Sequence, residues 1–149
     1  MDRIADIFAR CRAENRKALV MFVSCGCPDL ATSEELIERE IAAGADIIEL
    51  GVPFSDPMAD GAVIQAASQK ALANGATFAG VLEMAERVRS RHPETGLVLF
   101  SYYNVLFQYG LVMLAETLAR IGIDAVLPVD LPYEEREELA LPLRRTSVR

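Results

Sequence analysis

Four short apolar runs alternate with segments of helical periodicity, and this alternation restricts the fold more than any other feature of the sequence. The runs cover residues 18–23, 47–50, 97–100 and 125–127. Continuous apolar strands of this length, separated by amphipathic helices, are typical of a parallel sheet covered on both faces. The pattern therefore predicts an α/β fold built from four βα units, in one domain over residues 1–149.

Capping residues predict where some of the helices begin. Asp2 precedes an apolar stripe at helical spacing and predicts a first helix at 2–14. Thr32 and Glu35 have the spacing of a capping box, which predicts a helix that continues to about Ala43. Further helices are predicted over residues 62–73, 78–90, 111–121 and 133–141, whereas residues 144–149 show no pattern.

Two helix-to-strand connections share a sequence pattern. Ala43-Gly44-Ala45-Asp46 and Ile121-Gly122-Ile123-Asp124 each lead from a predicted helix into a predicted strand. We interpret this similarity as a shared packing solution for the two connections, without a chemical role.

The second apolar run leads to an acidic residue, Glu49. It lies near the predicted carboxyl end of a parallel strand, where α/β-barrel enzymes carry their catalytic groups. Ile47, Ile48 and Leu50 surround it in sequence. A carboxylate among such side chains loses hydration, which favours its neutral form and allows it both to donate and to accept a proton. A glutamate that simply emerges into solvent at the strand end fits the same position.

Further acidic and aromatic residues follow the predicted strands. Asp56 fits a turn between Ser55 and Pro57. Asp60 precedes a helical pattern, and its spacing alone favours a helix cap over a catalytic role. Tyr102 follows the third strand at the same edge of the sheet. His92 lies in a charged turn and is predicted to be solvated.

Composition limits the partners that the chain is expected to have. The net charge is −7, which argues against binding to nucleic acid or to an anionic membrane surface. No apolar run approaches the roughly 20 residues that a membrane-spanning helix needs. We therefore expect neither a nucleic acid nor a membrane as partner.

The three cysteines indicate reduced thiols. An odd count, Cys11, Cys25 and Cys27, and a beginning without the build of a secretion signal favour a cytoplasmic location. Cys25 and Cys27 form a Cys-Gly-Cys pair, but no second cluster supplies the four ligands that zinc prefers. No metal site is predicted.

The segment from Glu49 to Gly61 carries a specific resemblance. It reads Glu-Leu-Gly-Val-Pro-Phe-Ser-Asp-Pro-Met-Ala-Asp-Gly and closely resembles the signature of the α subunit of tryptophan synthase. Matches to the same family lie elsewhere in the expected order: Phe22, Ala43-Gly44-Ala45-Asp46, Ile64-Gln65, Tyr102-Tyr103-Asn104, Tyr109-Gly110 and Asp130-Leu131-Pro132. The resemblance covers essentially residues 1–142. It implies a TIM (β/α)8 barrel, of which the chain holds about the first four βα units.

The resemblance also implies an activity and site residues. The family cleaves indole-3-glycerol phosphate to indole and glyceraldehyde 3-phosphate in tryptophan biosynthesis. Glu49 would transfer protons, and Asp60 would accept a hydrogen bond from the indole N–H as positive charge develops there. The indole ring would bind in a slot formed by Phe22, Phe100, Tyr102 and Leu127.

A partner follows from the same resemblance. The chain would bind the tryptophan synthase β subunit in an α2β2 tetramer, and pyridoxal phosphate would belong to that subunit, so no cofactor is expected in this chain. The contacts would involve loops at the carboxyl end of the sheet, through Pro53, Asp56, Pro57 and Asn104.

The length of the chain bears on which function it can have. A complete barrel takes about 250 residues, and this chain has 149. A half-sheet has two unpaired edges, so the chain alone is expected to dimerise or aggregate and to have low lyase activity. A second hypothesis is a non-catalytic half-barrel that binds and modulates a β subunit. Another phosphate-sugar barrel enzyme is disfavoured by the pairing of Glu49 and Asp60 across their Pro-Phe-Ser-Asp-Pro loop.

Overall fold

The computed structural model describes residues 2–149 and confirms the alternation of strands and helices. Its strands are β1 (Val20–Ser24), β2 (Ile47–Gly51), β3 (Gly96–Ser101) and β4 (Ala125–Pro128). They form one sheet in the order β1-β2-β3-β4, and each neighbouring pair is parallel. The predicted four-stranded parallel α/β fold is therefore confirmed.

Helices follow or precede every strand. Within residues 2–149 they are α1 (Arg3–Ala13), α2 (Leu30–Ala42), α3 (Ala62–Ala73), α4 (Phe78–Arg91), α5 (Tyr103–Tyr109), α6 (Leu111–Ile121) and α7 (Glu137–Leu143), with a 3-10 turn at Tyr133–Glu135. No helix in this part of the chain is long and apolar enough to cross a bilayer.

The two faces of the sheet have different environments, because alternate residues of a strand point to opposite sides. One face packs under the helices that connect the strands, and the fully buried Ile48, Leu50 and Leu99 belong to that core. The other face, called the inner face below, carries Ile47 and Glu49 of β2. Helix α1 covers the beginning of the inner face, where Ile7 and Cys11 pack with Ile47 and Val98. The carboxyl end of the inner face carries polar and aromatic residues, which form the candidate site.

The two similar connections form the same hydrogen bonds. The Leu19 N–H donates to the Asp46 carboxylate at 2.9 Å, and the Leu97 N–H donates to the Asp124 carboxylate at 2.8 Å. In return, the Asp46 and Asp124 N–H groups donate to the carbonyls of Leu19 and Leu97, each at 2.9 Å. Each aspartate thus joins the start of one strand to the start of its neighbour, and the two connections share this arrangement, in agreement with the interpretation of a common packing solution.

Arginines neutralise both of these aspartates. Arg16 binds Asp46 through two hydrogen bonds of 2.7 and 2.8 Å, and Arg10 lies 3.9 Å from the same carboxylate. Arg89 binds Asp124 at 2.8 Å, and Arg3 contacts its other carboxylate oxygen. The Arg16 guanidinium lowers the pKa of Asp46 to about 2. Arg89 is more deeply buried than Arg16, with a side chain that is 10% exposed against 39% for Arg16.

Several predicted boundaries are wrong. The capping box of Thr32 and Glu35 does not form, because Asp29 is the N-cap and its carboxylate accepts the Thr32 N–H at 2.7 Å. Helix α5 is not predicted from the sequence. The last helix begins at Glu137 instead of residue 133, and it contains Pro142.

The last residue pairs with the sheet. The Val126 N–H donates to the Arg149 carbonyl at 2.7 Å, and the Arg149 N–H donates to the Asp124 carbonyl at 3.0 Å. This pattern is that of a parallel bridge along β4. The segment 144–149, which shows no pattern in the sequence, is therefore ordered against the sheet at its end.

Candidate active site

Glu49 lies within β2 on the inner face of the sheet. It is in register with Phe22 of β1 and Val98 of β3. It is half-buried, and β2 continues through Leu50 and Gly51 beyond it. The carboxylate therefore belongs to a regular strand and lies next to apolar side chains. It is not part of the loop that follows the strand.

Two aromatic rings lie just beyond Glu49. Phe22 and Phe100 pack edge to face, with ring centroids 5.2 Å apart. Their contact depends on Gly51, because a Cβ at that position would lie 2.4 Å from Cζ of Phe22. The absence of a side chain at Gly51 gives the Phe22 ring its place on the inner face.

A small cleft opens beside these rings. Its cavity volume is about 10 Å³, which is enough for about one water molecule. Four of the predicted site residues contribute to its wall, and the complete lining is Phe22, Ser24, Gly51, Val52, Asp60, Ile64, Ser68, Phe100, Ser101 and Tyr102. An indole ring therefore needs either displacement of these side chains or the open part of the inner face.

The other two predicted site residues lie next to the cleft. Glu49 is two residues before Gly51 on the same face of β2 and is not part of the wall. Leu127 is in register with Phe100 and shares the inner face, but it is exposed to solvent and also lies outside the wall.

Asp60 does not cap helix α3. The N-cap is Gly61, which makes no side-chain hydrogen bond, so the interpretation of Asp60 as a cap is wrong. The Asp60 carboxylate instead lies beside the Tyr102 hydroxyl in the cleft. Burial raises the pKa of Tyr102, and the Asp60 carboxylate raises it further.

Tyr102 and Gln65 hold the loop that carries Asp60. The Ala59 N–H donates to the Tyr102 hydroxyl oxygen at 2.9 Å. The Gln65 side-chain amide donates to the Asp60 carbonyl at 2.8 Å and to the Pro57 carbonyl at 3.3 Å. The backbone before α3 is thereby attached both to the end of β3 and to α3 itself.

The residues predicted to contact a partner differ in exposure. Pro53 and Pro57 are buried within this chain, whereas Asp56 and Asn104 are exposed. Met58, which follows Pro57 in the loop, is 83% exposed. A separate hollow of about 270 Å³ lies beside Asn104, and its lining is Tyr103, Asn104, Phe107, Asp130, Leu131, Pro132 and Glu135.

Some residues of the site are not predicted from the sequence. The role of Gly51 follows only from the position of the Phe22 ring in space. Gln65 belongs to the matched motifs but receives no role. Ile64 and Ser68 are spaced four residues apart on α3, and this spacing is the one signal that would have placed both on the cleft side of the helix.

Residues outside the site also differ from expectation. The His92 ring contacts the Glu38 carboxylate and is only 24% exposed, so the prediction that it is solvated is wrong. Cys25 is fully buried, and burial raises the pKa of its thiol to about 12. Within residues 2–149, no group of three or more potential ligands is arranged to hold a metal ion.

Comparison with known proteins identifies one family over nearly the whole chain. The family model described as "Tryptophan synthase alpha chain" matches residues 8–149. The tryptophan synthase alpha chain of Citrifermentans bemidjiense is 50% identical over 139 residues, which are 93% of this chain and 52% of that protein. The protein of the same name from Geobacter sulfurreducens is 51% identical over 138 residues, with the same coverage.

Solved structures give the same result for the fold. Tryptophan synthase subunit alpha from Legionella pneumophila superimposes with a TM-score of 0.96 at 34% identity, over 99% of this chain and 56% of that chain. A chain of tryptophan synthase from M. tuberculosis, in an aminoacrylate-bound form, superimposes with a TM-score of 0.93 at 31% identity. The superposition covers 99% of this chain and 60% of that chain. The fold matches the N-terminal part of these TIM-barrel structures.

The chain spans about half the length of the curated relatives that it matches. The matched range, residues 8–149, nevertheless spans all four strands of the sheet. The chain belongs to the tryptophan synthase alpha chain family.

Proposed function

We propose that this chain provides the proton-transfer half of a tryptophan synthase α active site. The reaction is the retro-aldol cleavage of indole-3-glycerol phosphate to indole and glyceraldehyde 3-phosphate. Family membership supports the reaction class. The single observation that carries the proposal is the placement of two acids around one aromatic cleft, Glu49 on the strand and Asp60 in its wall.

Glu49 is assigned the proton transfers. It protonates C3 of the indole ring, which places positive charge on the ring nitrogen. It then accepts the proton of the hydroxyl on the adjacent side-chain carbon, and the bond between that carbon and C3 breaks to give the aldehyde and free indole. The half-buried Glu49 carboxylate is in register with Phe22, next to the aromatic surface that is assigned to the indole ring.

Asp60 is assigned the stabilisation of charge. Its carboxylate accepts a hydrogen bond from the indole N–H and interacts favourably with the positive charge that develops on the ring. The two acids have different environments, one on a strand among apolar groups and one in a polar loop next to Tyr102, as two distinct roles require.

The substrate and partner assignments complete the proposal. The indole ring lies against Phe22, Phe100 and Leu127 on the inner face. The exposed residues Asp56 and Asn104 face a β subunit that carries pyridoxal phosphate, in an α2β2 tetramer. A cytoplasmic location agrees with the three free thiols. The chain itself needs no cofactor for the steps assigned to Glu49 and Asp60.

A second candidate function is supported by the exposed loop surface. Met58 is 83% exposed next to Asp56, and the hollow beside Asn104 has a volume of about 270 Å³, whereas the cleft has about 10 Å³. A chain with a nearly closed cleft and an open docking surface fits a protein that binds and modulates a β subunit without cleaving substrate.

Release of indole from indole-3-glycerol phosphate tests the proposal. The wild-type chain, Glu49→Gln, Asp60→Asn and the control Glu35→Gln on the exposed side of α2 are compared. We expect no detectable release by the Glu49 variant, a loss of about 10²-fold or more for the Asp60 variant, and an unchanged rate for Glu35→Gln. Wild-type activity in Glu49→Gln contradicts the proposal, and a wild-type chain that releases no indole but stimulates a tryptophan synthase β subunit favours the modulator.

A further inference from the structure

The hydroxyl group of Tyr102 forms a hydrogen bond within the protein. Although Tyr102 lies in the wall of the cleft, its oxygen accepts the Ala59 N–H and lies next to Asp60. We propose that Tyr102 is a positioning residue, whose hydroxyl fixes the Ala59–Asp60 segment so that the Asp60 carboxylate faces the cleft. This inference rests on the proposed function, because it assigns Tyr102 through the role of Asp60.

Tyr102 is itself rigidly held. It is only 4% exposed, and its ring stacks on Phe54 with a centroid distance of 5.1 Å and an interplanar angle of 30°. Phe54 belongs to the same loop as Asp60. The ring and the hydroxyl therefore attach the loop at two points, near its beginning and near its end.

The loop between these points has few other contacts that would fix it. Ser55, Asp56, Met58 and Ala59 are all exposed. An exposed segment with little apolar burial opens easily unless hydrogen bonds hold it. The Tyr102 hydroxyl supplies such a bond directly before Asp60, and the Gln65 amide supplies further bonds at the Asp60 and Pro57 carbonyls.

The charge of Asp60 also acts on Tyr102. Burial is the largest cause of the raised pKa of Tyr102. The Asp60 carboxylate raises this pKa further, because its negative charge disfavours the phenolate. The two side chains are therefore close enough to sense each other electrostatically. This coupling agrees with the placement of both side chains in the wall of the cleft.

Amide hydrogen exchange of Ala59, measured by NMR on the whole chain, tests the hydrogen bond. Tyr102→Phe removes the acceptor, so we expect exchange at Ala59 to accelerate about tenfold. Tyr103→Phe is the matched control, because its hydroxyl donates to Glu138 outside the cleft. The Val52 amide, which donates to the Phe100 carbonyl at 2.9 Å, reports any general loss of stability. Unchanged exchange at Ala59, or equal acceleration at Val52, overturns the proposal.

Titration of the tyrosine tests the coupling to Asp60. With tyrosine labelled at the ring carbon that bears the hydroxyl, we expect Asp60→Asn to lower the pKa of Tyr102 and Asp56→Asn to leave it unchanged. A Tyr102 titration that is the same in the wild-type chain and in Asp60→Asn overturns the proposal. Neither measurement depends on turnover, so both can be interpreted even if the chain has no lyase activity. A negative result for Tyr102 does not decide the lyase proposal, which the indole-release assay tests separately.

Discussion

The ring of Phe22 lies over the backbone of Gly51, at a distance that no side chain at position 51 would allow. A Cβ there would lie 2.4 and 2.6 Å from two ring atoms and 3.0 Å from the Val23 carbonyl oxygen. This relationship places one ring of the Phe22–Phe100 pair next to Glu49. The shape of the inner face thus depends on Gly51, a residue without a side chain.

Gly51→Ala is expected to destabilise the chain and to displace the Phe22 ring. Forcing a methyl group into this contact costs about 1–3 kcal/mol of unfolding free energy. Urea unfolding measures the cost, and the ring resonances of Phe22 and Phe100 report the displacement. Gly61→Ala is the control, because nothing lies within 4 Å of its added Cβ. Equal stability of the two variants contradicts the account of Gly51.

Asp46 is expected to make the stability of the fold depend on acid pH. Its pKa is lowered to about 2 in the folded state, chiefly by Arg16, and its ordinary value is 3.8. Because the folded value is the lower one, this stabilisation is fully present above pH 3.8 and is lost as pH falls through about 2. Asp46→Asn should reduce the unfolding free energy at neutral pH by about 1–3 kcal/mol and flatten its pH dependence in that window. A pH profile identical to the wild-type profile contradicts the assignment.

Asp124→Asn is expected to be more damaging than Asp46→Asn, although the two aspartates form equivalent hydrogen bonds. Arg89 and Arg3 both pair with Asp124 and lose this counter-charge, and the Arg89 side chain is only 10% exposed. Removing one member of a buried pair costs about 3–5 kcal/mol. Arg16 is more exposed and regains hydration when Asp46 is neutralised. Urea unfolding of both variants decides the order, and a smaller loss for Asp124→Asn contradicts this reasoning.

Cys25 is expected to resist alkylation while the chain is folded. It is fully buried, and burial raises the pKa of its thiol to about 12, so the reactive thiolate is scarce at pH 8. Cys27 is only partly buried and serves as the internal comparison. Peptide mapping after iodoacetamide treatment should show modification at Cys27 first, and at Cys25 only in denaturant. Modification of Cys25 in the folded chain at the rate of Cys27 contradicts the buried assignment.

The strands could be predicted from sequence because their signal is local. A run such as 97–100 is too short and too apolar to be a surface helix, and Gly96 and Ser101 bound it. The start of α2 could not be placed as reliably, since Asp29 and Thr32 are both good caps and only the structure shows which one the helix uses. Helix α5 was missed because it is short and its N-cap, Tyr102, makes no side-chain cap hydrogen bond.

The site was predictable where it depends on strand position and motif. The resemblance and the strand pattern together predict Glu49, Asp60, Phe22 and Phe100, and the structure gathers these residues at one end of the inner face. The contributions of Gly51 and Gln65 depend on contacts between elements that are distant in space, which no local pattern encodes. Asp60 shows the limit most clearly, because its spacing favours a cap that the structure does not form.

The central claim is that Glu49 performs proton transfer next to Asp60, and one paired measurement tests it directly. Indole release from indole-3-glycerol phosphate and stimulation of a tryptophan synthase β subunit are measured in the same mixture, for the wild-type chain and for Glu49→Gln. The account predicts that Glu49→Gln abolishes indole release and leaves the stimulation unchanged, since the exposed loop around Asp56 is not altered. Indole release by Glu49→Gln at the wild-type rate would contradict it.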